Sequence, residues 1–169
     1  MLDPRIQTAL NDQLHHELAS AYLYLAMAAH FEAANLPGSA KWMRRQAREE
    51  LTHAMRVFDF VNDRDGRVTL QALAQPPGQF ASTVAVWEQA LANEQHVSAV
   101  IHDEFELAHK AADHATMAML QWFVTEQVEE EKTARMILEQ VQQIGPASTA
   151  MYFLDRHLGK DAEERNADG

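Results

Sequence analysis

Cysteine is absent from the 169 residues. This excludes disulfides, thiolate zinc sites, iron–sulfur clusters, haem attached through Cys and thiol nucleophiles, so any bound metal must be held by oxygen and nitrogen. Basic residues are the scarcer charge: 14 Lys and Arg against 25 Asp and Glu leave a formal net charge of −11. That balance gives no support to a nucleic-acid or anionic-membrane surface and suits cationic partners, metal ions among them. Long apolar runs are missing as well. The longest uncharged apolar-rich stretch, 18–29, is too short to span a bilayer, and Met1-Leu2-Asp3-Pro4-Arg5 is not a basic run feeding an apolar segment. A cytoplasmic protein with neither membrane nor nucleic-acid partners is the expectation.

Proline and glycine are few and clustered. Prolines at 4, 37, 76, 77 and 146 and glycines at 38, 66, 78, 145, 159 and 169 leave 5–36, 39–65, 79–144 and 147–158 free of both. Those segments are filled with Ala, Leu, Glu, Gln, Met, Lys and Arg, which lose little rotamer freedom in a helix, and β-branched runs are missing. The composition predicts an all-α chain with no sheet. One helix over 79–144 would be about 100 Å long at about 1.5 Å per residue, too long for a domain of this size to pack against. A break is therefore expected around 109–113, with Asp113 capping a new helix from His114.

The resulting expectation is a single domain over 1–169: four long helices near 5–33, 38–64, 81–109 and 114–143, a short fifth over 147–158, and a charged tail over 160–169. The joint at 34–38 is short enough to make the first two helices antiparallel neighbours. The linker 65–79 can reach about 50 Å when extended, more than the length of the second helix at about 40 Å. It can run the length of the bundle and make helices two and three parallel, a four-helix bundle with one long crossover.

Each long helix carries an apolar stripe at alternating steps of three and four. The first reads Leu10, Leu14, Glu17, Ala21, Tyr24, Ala28, Phe31, and the second Met43, Ala47, Glu50, Ala54, Val57, Val61. The third reads Val84, Trp87, Leu91, Glu94, Ser98, Ile101, Phe105, and the fourth Thr116, Leu120, Phe123, Gln127, Glu130, Ala134, Ile137, Val141. The polar interruptions all fall within about 3 Å of the helix midpoints, so they should converge in one layer. Taken singly, a Glu on an apolar stripe is more often a boundary residue or a protonated core acid. Four at one height would repel and lose hydration unless something positive sat among them.

No Lys or Arg occupies the stripes. His53, three residues after Glu50, completes a Glu-x-x-His pair on one side of a helix turn. A carboxylate-rich set with one imidazole and no sulfur favours iron or manganese, and two divalent ions balance four ionised Glu. Tyr24, on the same face as Glu17, reads more commonly as a core tyrosine than as a redox-active or hydrogen-bonding neighbour of the metals. Glu126 and Glu129, spaced i and i+3 opposite Glu49, fit a solvated face and a third metal site equally well. The other histidines read as surface or packing residues.

Glu17, Glu50-Leu51-Thr52-His53, Glu94 and Gln127-x-x-Glu130, with Tyr24 and the Glu49, Glu126, Glu129 set, resemble a bacterial non-haem ferritin over residues 3–160. Segment 44–60 is similar to that family's second helix and 121–132 to its fourth. The resemblance implies that Glu17, Glu50 and His53 hold one iron of a ferroxidase centre, and Glu94 and Glu130 the other, with Glu50 shared. It also implies that Gln127 helps orient oxygen, that Tyr24 stands beside the centre, and that Glu49, Glu126, Glu129 and Glu130 form a third iron site. The implied activity is oxidation of Fe(II) by O₂ or H₂O₂ and storage of ferric mineral in a hollow homo-24-mer, with the fifth helix at the four-fold axes. Asp59 and Asp63 are candidates for nucleation, and a reductase or ferredoxin would release the iron.

A bacterioferritin would have a second Glu-x-x-His where this chain has Gln127-x-x-Glu130, and a haem-ligating Met where it has Leu51. Haem is therefore not expected. A bacterioferritin-type shell, a stand-alone di-iron oxidase and a metal-free helical assembly protein are the alternatives.

Overall fold

The computed structural model describes residues 2–145 and 148–167. It contains α1 (Pro4–Ala33), α2 (Pro37–Asp63), α3 (Thr83–Lys110), α4 (His114–Ile144) and α5 (Ser148–Ala167), with no strand among the described residues. This is the expected all-α architecture, a four-helix bundle with a C-terminal helix added.

The helix boundaries follow local chemistry. Asp3, Ser82 and Asp113 cap α1, α3 and α4, each accepting a backbone N–H of the first turn through its side chain. Pro4 and Pro37 stand where a helix needs no N–H donor. The joint between α3 and α4 carries no glycine, and Ala112 takes the left-handed conformation there, at φ 53°. That conformation costs an alanine about 1–2 kcal/mol, and it is the reason the break has no Gly or Pro signature. Asp113 locks the joint by capping α4 and receiving both terminal nitrogens of Arg64, at the end of α2, at 3.0 and 3.1 Å.

The crossover is visible in the hydrogen bonds of the linker. Gln7 Oε1 accepts from Arg67 N at 2.8 Å, Asn11 Oδ1 from Thr69 N at 2.7 Å and Asp12 from Gln71 Nε2 at 2.6 Å. The chain thus leaves the end of α2 beside the N-terminal half of α1. Phe80 then meets the ring of His30, near the C-terminal end of α1, at 5.4 Å. The linker has run along α1, so α3 starts at the same end as α2 and lies parallel to it. Ring contacts and hydrogen bonds pairing Tyr24 with Glu94, Ser20 with Asn93 and His16 with His96 set α1 and α3 antiparallel.

Two apolar clusters fill the bundle. One holds Tyr24, Met27, Phe31, Trp42, Met43, Trp87 and Val141, and extends onto α5 through Leu154, Leu158 and Ala162. The other, toward the opposite end, holds Ile6, Leu10, Leu14, Val57, Ile101, Leu120 and Phe123. Burial contributes roughly 1.5–3 kcal/mol for each large side chain. The polar layer lies between the clusters.

Two expectations need correction. α5 does not stop at Leu158: the segment expected as a charged tail from residue 160 is helical to Ala167, while Ala147, the expected start, lies outside the described residues. Leu158 and Ala162 are buried four residues apart, and this contact carries the helix onward. The buried face of α3 is also rotated from the expected stripe. Val84, Leu91 and Phe105 are only half-buried, whereas Val86, Ala90, Val97, Glu104 and Ala108 face the core. Phe105 and Leu91 instead pack at the edges of the two clusters.

Candidate metal centre

Glu17, Glu50, Glu94 and Gln127 are buried at mid-bundle, one from each long helix, and His53 is buried with them. Glu17, Glu50 and His53 offer ligand atoms that all lie within 4.8 Å of one another, the sole such group among the described residues. His53 Nδ1 stands 3.5 Å from Glu50 Oε2 and 3.7 Å from Glu17 Oε2. The imidazole is packed edge-on against Trp122 and Phe123 of α4, with ring centres 5.2 and 5.9 Å away, which fixes its plane.

The second half of the layer is built around Glu94. Tyr24 Oη donates to its Oε1, and Gln127 Nε2 donates to Oε2 at 3.2 Å and to the Glu94 carbonyl at 3.1 Å. Asn93, itself bonded to Ser20, adds a weaker contact to Oε1 at 3.4 Å. Glu130 is half-buried on the same layer, with its Oε2 accepting from Gln46 Nε2 at 2.9 Å.

The electrostatics of the layer are set by burial of several carboxyl groups beside one imidazole. Burial, reinforced by the charges of Glu94 and Glu17, pushes Glu50 well above the usual carboxylate range against the opposing pull of His53. Burial likewise raises Glu94, although the donors Tyr24, Gln127 and Asn93 oppose it. Burial, with Glu94 and Glu49 nearby, lifts Glu130 to about 7. Burial alone would lower His53, but Glu17 and Glu50 outweigh it and lift the imidazole to about 11. Tyr24 is pushed up by burial and then by Glu94. Glu17 Oε2 is buried without a hydrogen-bond partner. A carboxylate oxygen left over beside a second carboxylate and an imidazole is the chemistry of a ligand set.

The Glu49, Glu126 and Glu129 set is less assembled. Glu49 and Glu126 are half-buried, Glu129 is exposed, and none joins the close group of ligand atoms. Glu49 lies 3.4 Å from Arg45 Nη1. Arg45 is off the stripes yet buried beside the layer: it is 4% exposed, and it donates at 2.6 Å to Gln46, the residue that holds Glu130. Its neighbours in sequence, Arg44 and Arg48, are exposed. Gln13 was also missed. It lies one turn before Glu17 on the same face, is fully buried, and donates through Nε2 to Glu17 Oε1. Glu131, expected as a solvated residue, accepts from Ser98 Oγ at 2.6 Å and pairs with Arg135.

A four-helix bundle with a long crossover and a carboxylate–histidine layer defines the ferritin-like class of metal proteins. The family described as the ferritin-like domain matches residues 7–144. The bacterial non-haem ferritin of Staphylococcus aureus (strain USA300) is 34% identical over 159 residues, 94% of this chain and 96% of that one. That of Staphylococcus haemolyticus is 35% identical over 158 residues, 94% and 95% of the two chains. Among solved structures, the open-pore ferritin of the archaeon Archaeoglobus fulgidus superposes with a TM-score of 0.93 at 44% identity, covering 94% of this chain and 98% of that one. The chain belongs to the ferritin family, and iron storage is the function that this membership carries. Among the described residues no helix is long and apolar enough to cross a membrane.

Proposed function

We propose that the chain is a ferroxidase subunit of a hollow iron-storing shell. Two Fe(II) ions are the substrate at mid-bundle, one taken by Glu17, Glu50 and His53 and the other by Glu94 and Glu130, with Glu50 shared. Each Fe(II) gives up one electron. O₂ accepts the pair with two protons to become H₂O₂, and H₂O₂ as oxidant accepts a pair with two protons to become water. Carboxylates suit this because they bind both oxidation states of iron. The product Fe(III) leaves for a ferric mineral, with Asp59 and Asp63, both exposed on α2, as candidate nucleating acids.

The observation that carries this reading is the unpartnered, buried Glu17 Oε2 in a close group with Glu50 and His53. Gln127 holds Glu94 from α4, which supports a role for it in orienting oxygen, and Tyr24 holds Glu94 from α1. Glu49, Glu126, Glu129 and Glu130 form a third iron site in this reading, with Arg45 paired to Glu49 beside it.

Self-assembly into a 24-mer is supported by apolar side chains left on the outside of one chain. Tyr22 and Leu25 on α1 and Leu51 and Met55 on α2 are 44–49% exposed, as a buried subunit contact requires. Tyr152 and Phe153 do the same on α5. A cytoplasmic location, no haem, and release of iron by a reductase or ferredoxin complete the proposal.

The test is the iron-to-subunit ratio after excess Fe(II) is added in air and free iron is removed by size exclusion. Tens of irons per subunit on a very large particle are expected. A ratio stopping at two or three overturns storage and points to a metal-retaining di-iron oxidase. Glu50→Ala and His53→Ala should keep the particle and slow Fe(II) oxidation strongly, and unchanged rates would remove the site assignment.

A further inference from the structure

Gln46 of α2 is fully buried and uses both ends of its side-chain amide. Its Nε2 donates to Glu130 Oε2 at 2.9 Å, and its Oε1 accepts from Arg45 Nη2 at 2.6 Å. Arg45 is itself buried, with its guanidinium carbon 5.5 Å from the centre of the Trp42 ring and its Nη1 3.4 Å from Glu49 Oε1. Four side chains, Glu49, Arg45, Gln46 and Glu130, thus run in series from α2 to α4. Arg45 is no metal ligand, because a guanidinium has only donors to offer.

The two ends of a carboxamide have nearly the same shape, so packing alone does not decide which one faces Glu130. Hydrogen bonding decides it. Since the guanidinium only donates, the amide end against Arg45 is the oxygen, and the nitrogen is turned to Glu130. The opposite orientation would set the amide oxygen against a carboxylate oxygen and the amide nitrogen against the guanidinium, two repulsive contacts in a buried site. Glu130 Oε2 takes the hydrogen bond, and Oε1 takes none among the described residues. One contact, fixed in its sense by Arg45, therefore orients the carboxylate.

We propose that Arg45 and Gln46 are a positioning pair for the second iron: Arg45 sets the orientation of the Gln46 amide, and Gln46 holds Glu130 in the pose that takes the ion shared with Glu94. The proposal rests on the ferroxidase reading, in which Glu130 is a ligand. Among the described residues no hydrogen bond joins either member of the pair to Glu17, Glu50 or His53, so its effect is confined to the second position. Arg45 also carries a positive charge, and this gives the idea a sign. By charge alone, removing Arg45 would strengthen the binding of a cation nearby. By loss of orientation, removing it weakens that binding.

The test compares Gln46→Met, Arg45→Met and the double variant with Arg45→Lys, which keeps a donor against the Gln46 oxygen. Crystals of the assembled protein are soaked anaerobically in graded Zn²⁺, and anomalous maps give the concentration that fills each position. Gln46→Met and Arg45→Met should each require about tenfold more Zn²⁺ to fill the Glu94 and Glu130 position, with the Glu17, Glu50 and His53 position unchanged. In stopped-flow oxidation the Fe(II) concentration for half-maximal rate should rise several-fold, while the rate at saturation stays within about twofold. Arg45→Lys should recover most of the loss. The double variant should be no worse than Gln46→Met, because Arg45 acts through Gln46.

Normal filling of the second position in Gln46→Met overturns the pair. Tighter or unchanged binding in Arg45→Met, or losses that add in the double variant, overturns the orienting role and leaves Arg45 a plain charge. Should Gln46→Met fail to assemble, the contrast between Arg45→Met and Arg45→Lys decides by itself, and equal loss in both overturns the proposal. Absence of metal from both positions of the unmodified protein overturns the ferroxidase reading instead.

Discussion

Asp155 of α5 caps α2 across the fold: its Oδ1 accepts from Ser39 N and Ser39 Oγ, both at 2.7 Å, and its Oδ2 accepts from Gly38 N at 2.9 Å. α2 has no cap of its own, because Leu36 stands at the capping position and has no side-chain acceptor. The carboxylate meets the N–H groups at the positive end of a helix, so hydrogen bonding and the helix dipole act together. This is what fastens α5 to the bundle beside the apolar contact of Leu154 and Leu158 with the core.

Asp155→Ala should lower the stability of the subunit by about 2 kcal/mol, the sum expected for a lost cap and buried N–H groups left unpaired. Gly38→Ala should cost more. A Cβ at Gly38 would fall 1.8 Å from the backbone carbonyl oxygen of Asp155, which has no flexible atom to move. Denaturant unfolding of the metal-free protein reads the first effect, and light scattering shows whether α5 displaced by Gly38→Ala still permits a shell.

The protonation state of the metal-free centre makes metal binding a proton-releasing reaction. His53, lifted to about 11, carries a proton at neutral pH, and Glu130, lifted to about 7, carries one part of the time. Ions that take these ligands must displace those protons. Zn²⁺ loading at pH 7 should release more than one proton per subunit, read by calorimetry in buffers of different ionisation enthalpy, and affinity should fall as pH drops toward 5. A titration that releases no protons would place the metal elsewhere.

Stability of the metal-free protein should respond to pH with a defined sign. Glu130 has a folded pKa raised from 4.5 to about 7, so its ionisation costs nothing below the lower value, and stability falls as pH rises through the interval. His53 is raised instead by its anionic partners, so its contribution is fully present below its ordinary 6.5 and is lost only toward pH 11. Between pH 4.5 and 7, the metal-free midpoint of unfolding should therefore drop. Saturation with Zn²⁺ should flatten that dependence, since the bound ion keeps Glu130 ionised throughout.

What was legible in the sequence was whatever periodicity alone decides. Glu17, Glu50, Glu94 and Gln127 interrupt apolar stripes at one height, and a straight helix converts that spacing directly into a layer. Asp113 was legible because capping is local chemistry. Arg45, Gln13 and Glu104 were not, because each is buried by a neighbouring helix rather than by its own pattern. Arg45 is one of three arginines within 44–48, and which of them turns inward depends on the rotation of α2 against α4. Glu104 was hidden by the rotation of α3, which moved the buried face from Phe105 to Glu104. The length of α5 was hidden for the same reason: Leu158 and Ala162 find their burial on α2, far away in sequence.

Tyr24 separates a packing role from a positioning role by a single atom. Its ring fills the apolar cluster against Trp42, with centres 6.4 Å apart, while its hydroxyl donates to Glu94 Oε1. Tyr24→Phe keeps the ring and removes the donor, so stability should change by only about 1 kcal/mol. If the hydroxyl steers Glu94 onto iron, the oxidation rate at saturating Fe(II) should fall several-fold, and the rate-against-pH curve should shift because Glu94 loses a bond that favours its charged form. An unchanged rate and pH curve would reduce Tyr24 to a core residue.

Glu129 tests the third iron site with the least risk to the fold, because it is exposed and no hydrogen bond holds it in place among the described contacts. Glu49 is a poorer choice: its loss would also release the buried guanidinium of Arg45, and that effect would mix with any change in iron binding. Glu129→Ala leaves Glu17, Glu50, His53, Glu94 and Glu130, the ligands proposed for the paired ions, in place. The initial rate of Fe(II) oxidation should therefore stay within about twofold, under 0.5 kcal/mol of barrier. The number of Fe(II) oxidised per O₂ consumed should move instead, because a third ion supplies electrons beyond the first pair. Simultaneous oxygen-electrode and absorbance measurements give both quantities from one sample. A ratio identical to that of the unmodified protein would return Glu126 and Glu129 to the reading of a solvated helix face.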